Sequence, residues 1–411
     1  MLLRMICLNE NNEEEVWHFD NVKNEIYLPN GKKLNPDNYD HLTKFADIRK
    51  IVRTNVCDTK SSNVRNLRIQ LGLKCNMNCS YCAQGKTEVV ACSPKDIDNL
   101  LKKLDEANID VKTIIELWGG EPLVYWKTLK VLLPKLREKY PFVGFKIITN
   151  GTLLTKQKVD FFAKYGVKLI CSHDAKGYWM RGKDPLDDPK LLEVWKYAND
   201  TMNFSINCVI TPANADVREI YPFFKEKFGK DVHVNIEGAM THSEITSEEI
   251  MFSDNALLLM HDSIFEGLLT NDDGVYRLFF GYVASQIIAM VRNVELKPKI
   301  PRCSAWDEDS LAINMRGDVL TCHNYGDKKH TIGNILALKD VRISNRMTGW
   351  DQREKCKYCH VVHECKGGCP LSSGLEWKMT CRNMDAFHSA IFEFAWLYIT
   401  GRRLSKIEWT A

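Results

Sequence analysis

The chain has 411 residues, enough for two or three domains, and its hydrophobic fraction of 45% is ordinary for a soluble globular protein. Its formal charge of +3 neither demands nor excludes a nucleic-acid partner. No run of about 18 apolar residues is present, and the apolar stretch at the N-terminus is too short for a signal peptide, so we expect no membrane span and a cytoplasmic location. In that compartment, 15 cysteines favour metal ligation over disulfides.

Residues 1–64 precede the main pattern. The stretches 15–20 and 25–28, with Asn30-Gly31 after them, predict a hairpin. A short helix is predicted from Asn38 to Arg53. We interpret this segment as a hairpin/helix cap on the next domain, with a substrate-presenting element as the alternative.

Residues 65–240 alternate between strand and helix patterns, which predicts a parallel α/β sheet. The six predicted strands are 66–71, 113–118, 145–149, 167–172, 204–210 and 232–236. The predicted helices are 97–105, started by Ser93-Pro94, and 126–140, 156–165, 189–199 and 217–228. Six units are too few to close an eight-stranded barrel, and ligands of such sheets bind at the carboxyl ends of the strands.

Three thiols follow the first of these strands: Cys75, Cys79 and Cys82, with Tyr81 before the last. The spacing is C-x3-C-x2-C. Three thiolates can hold three irons of a [4Fe–4S] cluster and leave the fourth iron open for chemistry. The alternative is a zinc knuckle, which would close its coordination with a fourth ligand.

This spacing resembles the defining motif of the radical S-adenosylmethionine (SAM) superfamily. The resemblance implies a partial (β/α)6 TIM-type barrel and a [4Fe–4S] cluster whose open iron is chelated by SAM. In that family one electron cleaves SAM to methionine and a 5′-deoxyadenosyl radical, which takes a hydrogen atom from the substrate. Peptide-modifying relatives often carry a winged-helix domain at the N-terminus, and residues 1–64 are too short for a complete one.

Later strand ends carry residues that resemble SAM contacts of the family. The turn Gly119-Gly120-Glu121-Pro122 matches the element that contacts the SAM amino group, and Thr149–Thr152 matches a second element near SAM. In relatives, the Ser of a Ser-x-Asp-Gly element and a later Arg help to hold the SAM ribose and carboxylate. In this chain the element begins at Ser172, but Ala175-Lys176 stands where the Gly usually falls. Asp174 is a candidate cap of the turn. The residues expected to bind SAM are Tyr81, Gly119, Gly120, Glu121, Asn150, Ser172 and Arg181. Glu237 is a candidate substrate contact.

Residues 241–300 predict a helical connector, with helical periodicity over 257–268 and 276–291. A second cysteine set follows at residues 301–385. Its spacing is C-x13-G-x4-C, then C-x2-C-x5-C-x3-C, then a last cysteine. Zinc is the chemical alternative for such pairs.

This second set resembles the SPASM domain, an extension on one branch of the radical SAM family that binds two auxiliary [4Fe–4S] clusters. The resemblance implies that Cys356, Cys359, Cys365 and Cys381 ligate the distal cluster. It assigns the cluster nearer the active site to Cys303, Cys322 and Cys369. Some relatives supply a fourth cysteine just before the first, and residues 295–302 contain none. The nearer cluster therefore has either an open iron or a further ligand.

Residues 386–411 predict a C-terminal helix that is rich in aromatic residues over 387–399. The remaining cysteines have no motif around them, and we expect them to be structural. They are Cys7, Cys57, Cys92, Cys171 and Cys208.

The resemblance predicts a SAM-cleaving enzyme, and most SPASM-bearing relatives modify peptides or proteins. The first hypothesis is therefore crosslinking, epimerisation or oxidation of a peptide, with electrons from an external donor of flavodoxin or ferredoxin type. The second is radical modification of a nucleobase, or of an amino acid attached to one, in DNA. The third is an electron-transfer protein, against which the SAM-contacting motif argues.

Overall fold

The computed structural model describes residues 1–409 apart from 37–38, 47–57, 83, 85–95, 239–249, 299, 301, 327 and 344–346. The strands are β1 Leu2–Leu8, β2 Glu14–Asp20, β3 Glu25–Tyr27, β4 Asn63–Gln70, β5 Asn108–Trp118, β6 Gly144–Thr149, β7 Val167–Ser172, β8 Phe204–Ile210, β9 Val234–Gly238, β10 Ser310–Asn314, β11 Asp318–Leu320, β12 Thr331–Asn334 and β13 Arg403–Trp409. The α-helices are α1 Ile97–Lys103, α2 Trp126–Lys139, α3 Lys156–Lys164, α4 Pro189–Thr201, α5 Ile220–Phe228, α6 Asp254–Leu269, α7 Asp273–Val291, α8 Glu354–Lys357, α9 Val362–Cys365 and α10 Gly374–Thr400.

The central sheet confirms the predicted α/β partial barrel. Strands β4 to β9 lie side by side in chain order and are all parallel. Each pair is joined through a helix, since parallel neighbours need a long crossover. The predicted bounds of β7 and β8 agree with the structure, whereas β4 and β5 begin earlier than predicted. The predicted helix start at Ser93-Pro94 lies outside the described residues.

The same sheet continues beyond β4 into the C-terminal region. Strand β10 pairs in parallel with β4, and β11 and β12 follow antiparallel. The buried ammonium of Lys60 ties the two parts together by donating to the carbonyls of Ala305, Asp307 and Ser310 at 2.9, 2.6 and 2.9 Å. Residues 310–334 therefore extend the barrel sheet, where the sequence predicted a separate small domain from residue 301.

The chain's two ends share a second sheet, with strand order β13-β1-β2-β3. The sequence analysis found the β2–β3 hairpin but missed β1 and β13. It also assigned residues 386–411 to a helix, whereas α10 begins at Gly374, ends at Thr400 and gives way to β13. The pairing of Leu3 with Trp409 joins residues from opposite ends of the chain, so local patterns could not reveal it.

The terminal sheet packs on α10 and on the C-terminal cysteine region. The rings of Phe19 and Phe392 lie 5.2 Å apart. The amide of Asn21 donates to the carbonyls of Lys357 and Cys359 at 3.0 and 2.9 Å. The predicted cap therefore lies against this region. Of the predicted helix Asn38–Arg53, the structure describes a 3-10 turn, Asp40–Lys44; residues 38 and 47–53 lie outside the described part.

Helices α6, α7 and α10 pack together beside the barrel. By length and composition α7 could cross a membrane, but 67% of its apolar window is buried inside the protein, as in a core helix. His261 of α6 contacts Glu393 of α10 at 3.2 Å and its own neighbour Asp262 at 2.9 Å. Burial alone would lower the pKa of His261, but the two carboxylates outweigh it and raise that pKa to about 9.

The His261 contact gives stability a defined pH dependence. Because the folded-state pKa lies above the usual value of about 6.5, the stabilisation is complete below pH 6.5 and is lost as the pH rises through about 9. We expect His261→Gln to lower the free energy of unfolding by about 2 kcal/mol at pH 6 and by far less at pH 9.5. Urea unfolding across this range measures the difference. The exposed His233, changed to Gln, is the control, and a pH-independent loss in the His261 variant would contradict the assignment.

Candidate functional site

The three cysteines of the predicted catalytic loop lie together beyond the carboxyl end of β4. Cys75, Cys79 and Cys82 are half-buried, and every cysteine in the described part of the chain is a free thiol. The Met77 amide donates to the Cys75 sulfur at 3.3 Å, and the Ser80 amide donates to the Met180 carbonyl at 3.0 Å. Burial raises the pKa of Cys79 to about 11. A buried thiolate is thus disfavoured unless a cation, such as cluster iron, accompanies it.

The turn Gly119-Gly120 presses directly on the backbone that leads into this loop. A Cβ on Gly120 would lie 2.3 Å from the Leu73 carbonyl oxygen, and one on Gly119 would lie 2.7 Å from that of Gly72. The Gly120 amide donates to the Gly72 carbonyl at 3.0 Å. The sequence analysis expected Gly119 and Gly120 to bind SAM, and the structure gives both glycines a partner within the chain.

Glu121 joins the ends of β5 and β6 and is only 1% exposed. Its carboxylate accepts hydrogen bonds from the Thr149 hydroxyl at 2.6 Å and from the Leu123 and Asn150 amides at 2.8 and 2.7 Å. Burial raises the pKa of this carboxyl group, and the hydrogen bonds oppose that rise. In this structure Glu121 shapes the site from beneath.

Asn150 reaches the cysteine loop itself. Its amide nitrogen donates to the Asn76 side-chain oxygen at 2.9 Å and lies 3.9 Å from the Cys75 sulfur. Its side-chain oxygen accepts from the Thr152 amide and hydroxyl at 3.0 and 2.7 Å. The structure thereby places this predicted residue next to the first cysteine.

Tyr81 and Arg181 meet on a single buried carboxylate, Asp174. Arg181 grips it through Nε and Nη2 at 2.7 and 2.9 Å, and the Tyr81 hydroxyl also donates to it. The Val209 amide donates to it at 3.0 Å, which links β8 to the same group. The sequence predicted that Arg181 holds the SAM carboxylate and that Asp174 caps the turn; here Asp174 makes no capping bond and takes the planar grip of Arg181. Ser172 lies half-buried at the end of β7.

Two contacts that support the loop were missed by the sequence analysis. The Tyr125 hydroxyl accepts from the Lys74 amide at 2.8 Å. The same hydroxyl would lie 2.4 Å from a Cβ on Gly72, whose φ is +145°. Tyr125 is an ordinary helix-start aromatic in the sequence, so no local signal marks it.

Cys303, Cys322 and Cys369 form the group beside β4 and β10. Burial raises the pKa of Cys303 to about 11 and that of Cys322 to about 12, and the proximity of the other thiols raises both further. Arg68 on β4 is close enough to lower the pKa of both. The predicted trio is thus brought together, and its ligand role stays a prediction.

The predicted distal ligands line one pocket: Cys356, Cys359, Cys365 and Cys381. Lys355, Trp377 and Asp385 also line it. Potential ligand atoms of Cys359, His360 and Asp385 lie within 4.8 Å of one another. Asp385 was not predicted, although it follows Cys381 by one turn of α10, which places the two side chains on one face.

Arg353 is a buried cation whose surroundings fit an anionic cluster. It is 7% exposed and donates to the carbonyls of Cys369 and Ser372 at 3.2 and 2.8 Å. Its Nε has no hydrogen-bond partner among the described residues. The thiols near it belong to both C-terminal groups. A [4Fe–4S] cluster held by thiolates is anionic, so a cluster at these thiols would balance the buried positive charge of Arg353.

Comparison with known proteins agrees with this arrangement. Residues 69–178 match the sequence model of the Radical SAM superfamily. The chain therefore contains a Radical SAM domain. The match supports a SAM-cleaving enzyme, and the SPASM branch with SAM, one SAM-binding [4Fe–4S] cluster and two auxiliary [4Fe–4S] clusters as cofactors stays a prediction.

Several relatives of this radical SAM enzyme cover most of its length. The chain is 23% identical to the radical SAM cyclopropyl synthase TigE of Paramaledivibacter caminithermalis over 74% of this chain and 68% of that protein. It is 23% identical to the cysteine-type anaerobic sulfatase-maturating enzyme of Clostridium perfringens over 78% and 93%. The structure of anSMEcpe with bound AdoMet is similar, with a TM-score of 0.59, 20% identity and coverage of 80% and 98%. Streptococcus suis SuiB bound to precursor peptide SuiA has a TM-score of 0.52, 19% identity and coverage of 75% and 72%.

The glycine contact predicts a steric effect on the radical SAM loop. We expect Gly120→Ala to lower the free energy of unfolding by about 3 kcal/mol, because its Cβ meets backbone that cannot move aside. The matched control is Gly144→Ala, whose Cβ would lie 3.6 Å from Ile114 and which we expect to stay within about 1 kcal/mol of the parent. Urea unfolding of the iron-free proteins provides the measurement. Equal stability of the two variants would contradict the steric account.

The buried guanidinium predicts an electrostatic effect on an auxiliary cluster. Removing it in Arg353→Leu takes a positive charge from beside the cysteines, so we expect the reduction potential of the distal cluster to fall. A redox titration followed by electron paramagnetic resonance (EPR) reports that potential. Arg382→Leu removes an exposed cation from α10 and is the control. A larger shift in the control would rule out the role given to Arg353.

Proposed function

We propose that this radical SAM enzyme modifies a peptide or protein, at a side chain or an α-carbon. The relatives that cover most of the chain support this substrate class. One matures sulfatases by its name, the anSMEcpe structures include complexes with peptides, and SuiB was solved with a precursor peptide. The reaction is a crosslink, an epimerisation or an oxidation.

In this proposal Cys75, Cys79 and Cys82 ligate the catalytic cluster and leave one iron for the amino and carboxylate groups of SAM. When bound, the cluster and SAM together supply a hydrogen-abstracting radical. The residues around the loop position it: Gly119 and Gly120 fix its entry by backbone contact, and Glu121 locks the adjoining strand ends. Tyr81, Asn150, Ser172 and Arg181 line the SAM side of the loop.

The pairing of Arg181 with Asp174 suits a specific task in this site. A planar guanidinium held by a buried carboxylate keeps a fixed orientation beside Tyr81, with its centre 5.3 Å from that ring. Because its conformation is already fixed, Arg181 can offer its remaining N–H donors to a ligand without losing further side-chain freedom. We propose that this edge orients the SAM carboxylate.

The two C-terminal cysteine groups ligate the auxiliary clusters in this proposal. Cys356, Cys359, Cys365 and Cys381 hold the distal cluster, and Cys303, Cys322 and Cys369 hold the nearer one. The buried Arg353 between them balances cluster charge. These clusters take an electron from the substrate or pass electrons to the catalytic cluster, with a cytoplasmic flavodoxin or ferredoxin as the external donor. Residues 301–385 act as the auxiliary-cluster unit, and residues 65–240 as the catalytic barrel.

Iron content tests the cofactor assignment. Anaerobically reconstituted protein should hold about twelve irons per chain, because three [4Fe–4S] clusters are present. Replacing Cys75, Cys79 and Cys82 together with Ala should remove about four irons and abolish 5′-deoxyadenosine formation, while the other clusters stay. Continued SAM cleavage by this variant would refute the catalytic site. Loss of all iron in it would refute independent auxiliary sites.

Mass spectrometry tests the substrate class. The reduced enzyme is incubated with SAM and with separate pools of peptides and single-stranded DNA. We expect a SAM-dependent mass change in peptides that is absent with the triple Cys→Ala variant. A modified nucleoside together with unmodified peptides would overturn the proposal.

A further inference from the structure

A row of charged side chains crosses the inner wall of the barrel. Arg68 on β4, Glu116 on β5, Lys146 on β6 and Lys168 on β7 are paired in register from strand to strand. We call these four residues the cationic row. Residues in register on neighbouring parallel strands point to the same side of the sheet, so their side chains form one layer.

The cationic row faces the barrel interior. The neighbouring Phe145 faces the outer helices, because the Arg137 guanidinium of α2 lies 4.4 Å from the centre of its ring. Successive strand residues point to opposite faces, so Lys146 points inward. Leu67, Ile115 and Leu169, which flank the other members, are fully buried on the helix side.

The row carries three cations and one carboxylate. Glu116 is already shared, accepting from Arg68 at 3.1 Å and from Lys146 at 2.9 Å. No ion pair of Lys168 occurs among the described residues. The pKa of Lys168 is lowered, mainly by burial and to a smaller extent by the positive charge of Lys146. In the part of the chain that the structure describes, the row itself therefore carries a net charge of two positive units, which favours an anionic ligand.

A ligand can reach the row. The side chains of Arg68 and Lys146 are 24% and 26% exposed. Ile114 is one layer closer to the amino ends of the strands and is 41% exposed, so the interior is open on that side. The row lies about 10 Å below the barrel mouth, since Lys146 precedes the end of β6 by three residues of about 3.3 Å each.

Charge balance with the nearer cysteine group accounts for only part of the row. Arg68 is next to Cys303 and Cys322 and would offset an anionic cluster there. Lys168 stands three strands farther on, a separation of about 14 Å. At that distance a cluster has little effect on Lys168, so the far end of the row is left for another anion.

We propose that the cationic row binds a carboxylate of the peptide substrate and so sets which residue reaches the barrel mouth. This inference rests on the proposed peptide substrate. The carboxylate sits between Lys146 and Lys168, and the modified residue lies about 10 Å above it. Glu116 keeps Lys146 oriented.

Selection from a peptide library tests the proposal. Random octapeptides, with amidated C-termini in one pool and free C-termini in another, are equilibrated with the reconstituted enzyme and SAM, and the bound fraction is sequenced. We expect about tenfold enrichment of Asp or Glu at one position in the amidated pool, or of free over amidated peptides if the C-terminus supplies the carboxylate. The enrichment should disappear in Lys168→Met. This variant should stay folded, because it removes the repulsion with Lys146, and the exposed Lys156→Met is the control.

Three outcomes would overturn the inference: no carboxylate preference, an equal preference in Lys168→Met, or binding of single-stranded DNA through Lys168 in place of acidic peptides. The unfolding temperature of Lys168→Met is measured alongside. A loss of enrichment supports the proposal only if this variant unfolds at the same temperature as the parent enzyme. A fallback is Lys146→Met, which should show the same loss. Mass analysis of the bound peptides, after dithionite has been added to reduce the enzyme, separates the two proposals. Modification without acidic preference refutes only the row, and acidic preference without modification refutes only the proposed reaction.

Discussion

The contact of Gly120 with the backbone of Leu73 is the constraint on which the active site depends. It joins the turn after β5 to the segment between β4 and Cys75, so two strand ends and the cysteine loop move as one unit. Any side chain at this position would separate them, because a Cβ would lie 2.3 Å from a carbonyl oxygen. Glu121 extends the same connection to β6 through the Thr149 hydroxyl and the Asn150 amide. The cysteine loop is thus held by backbone geometry rather than by its own few hydrogen bonds.

Buried charge is the second theme of the structure. Asp174 near the barrel mouth is balanced by Arg181, and Glu116 deeper in the barrel is balanced by Arg68 and Lys146. Among the described residues, Arg353 forms no ion pair with a carboxylate, and thiols surround it. Asp174 and Glu116 therefore have cationic partners within the chain, while Arg353 lies where cluster thiolates can balance it.

Local sequence patterns predicted the cysteine groups and the parallel strands because both depend on short spacings. The bounds of β7 and β8 and the juxtaposition of Cys356, Cys359, Cys365 and Cys381 agree with that prediction. Contacts between distant residues escaped it. The β1–β13 pair joins the two ends of the chain, and the Arg181–Asp174 pair depends on how a 3-10 turn folds back. The cationic row is invisible in the sequence, since it needs the register of four strands to align one residue from each.

The account's central claim is that the loop from Cys75 to Cys82 presents an iron to SAM. Electron–nuclear double resonance on the dithionite-reduced, fully reconstituted enzyme tests it with SAM labelled with ¹⁷O at the carboxylate and ¹⁵N at the amino group. The account predicts hyperfine coupling to both labels, and its loss when Cys75, Cys79 and Cys82 are replaced by Ala while the auxiliary cluster signals stay. Absence of coupling in the parent enzyme, or coupling that survives in the variant, would contradict it.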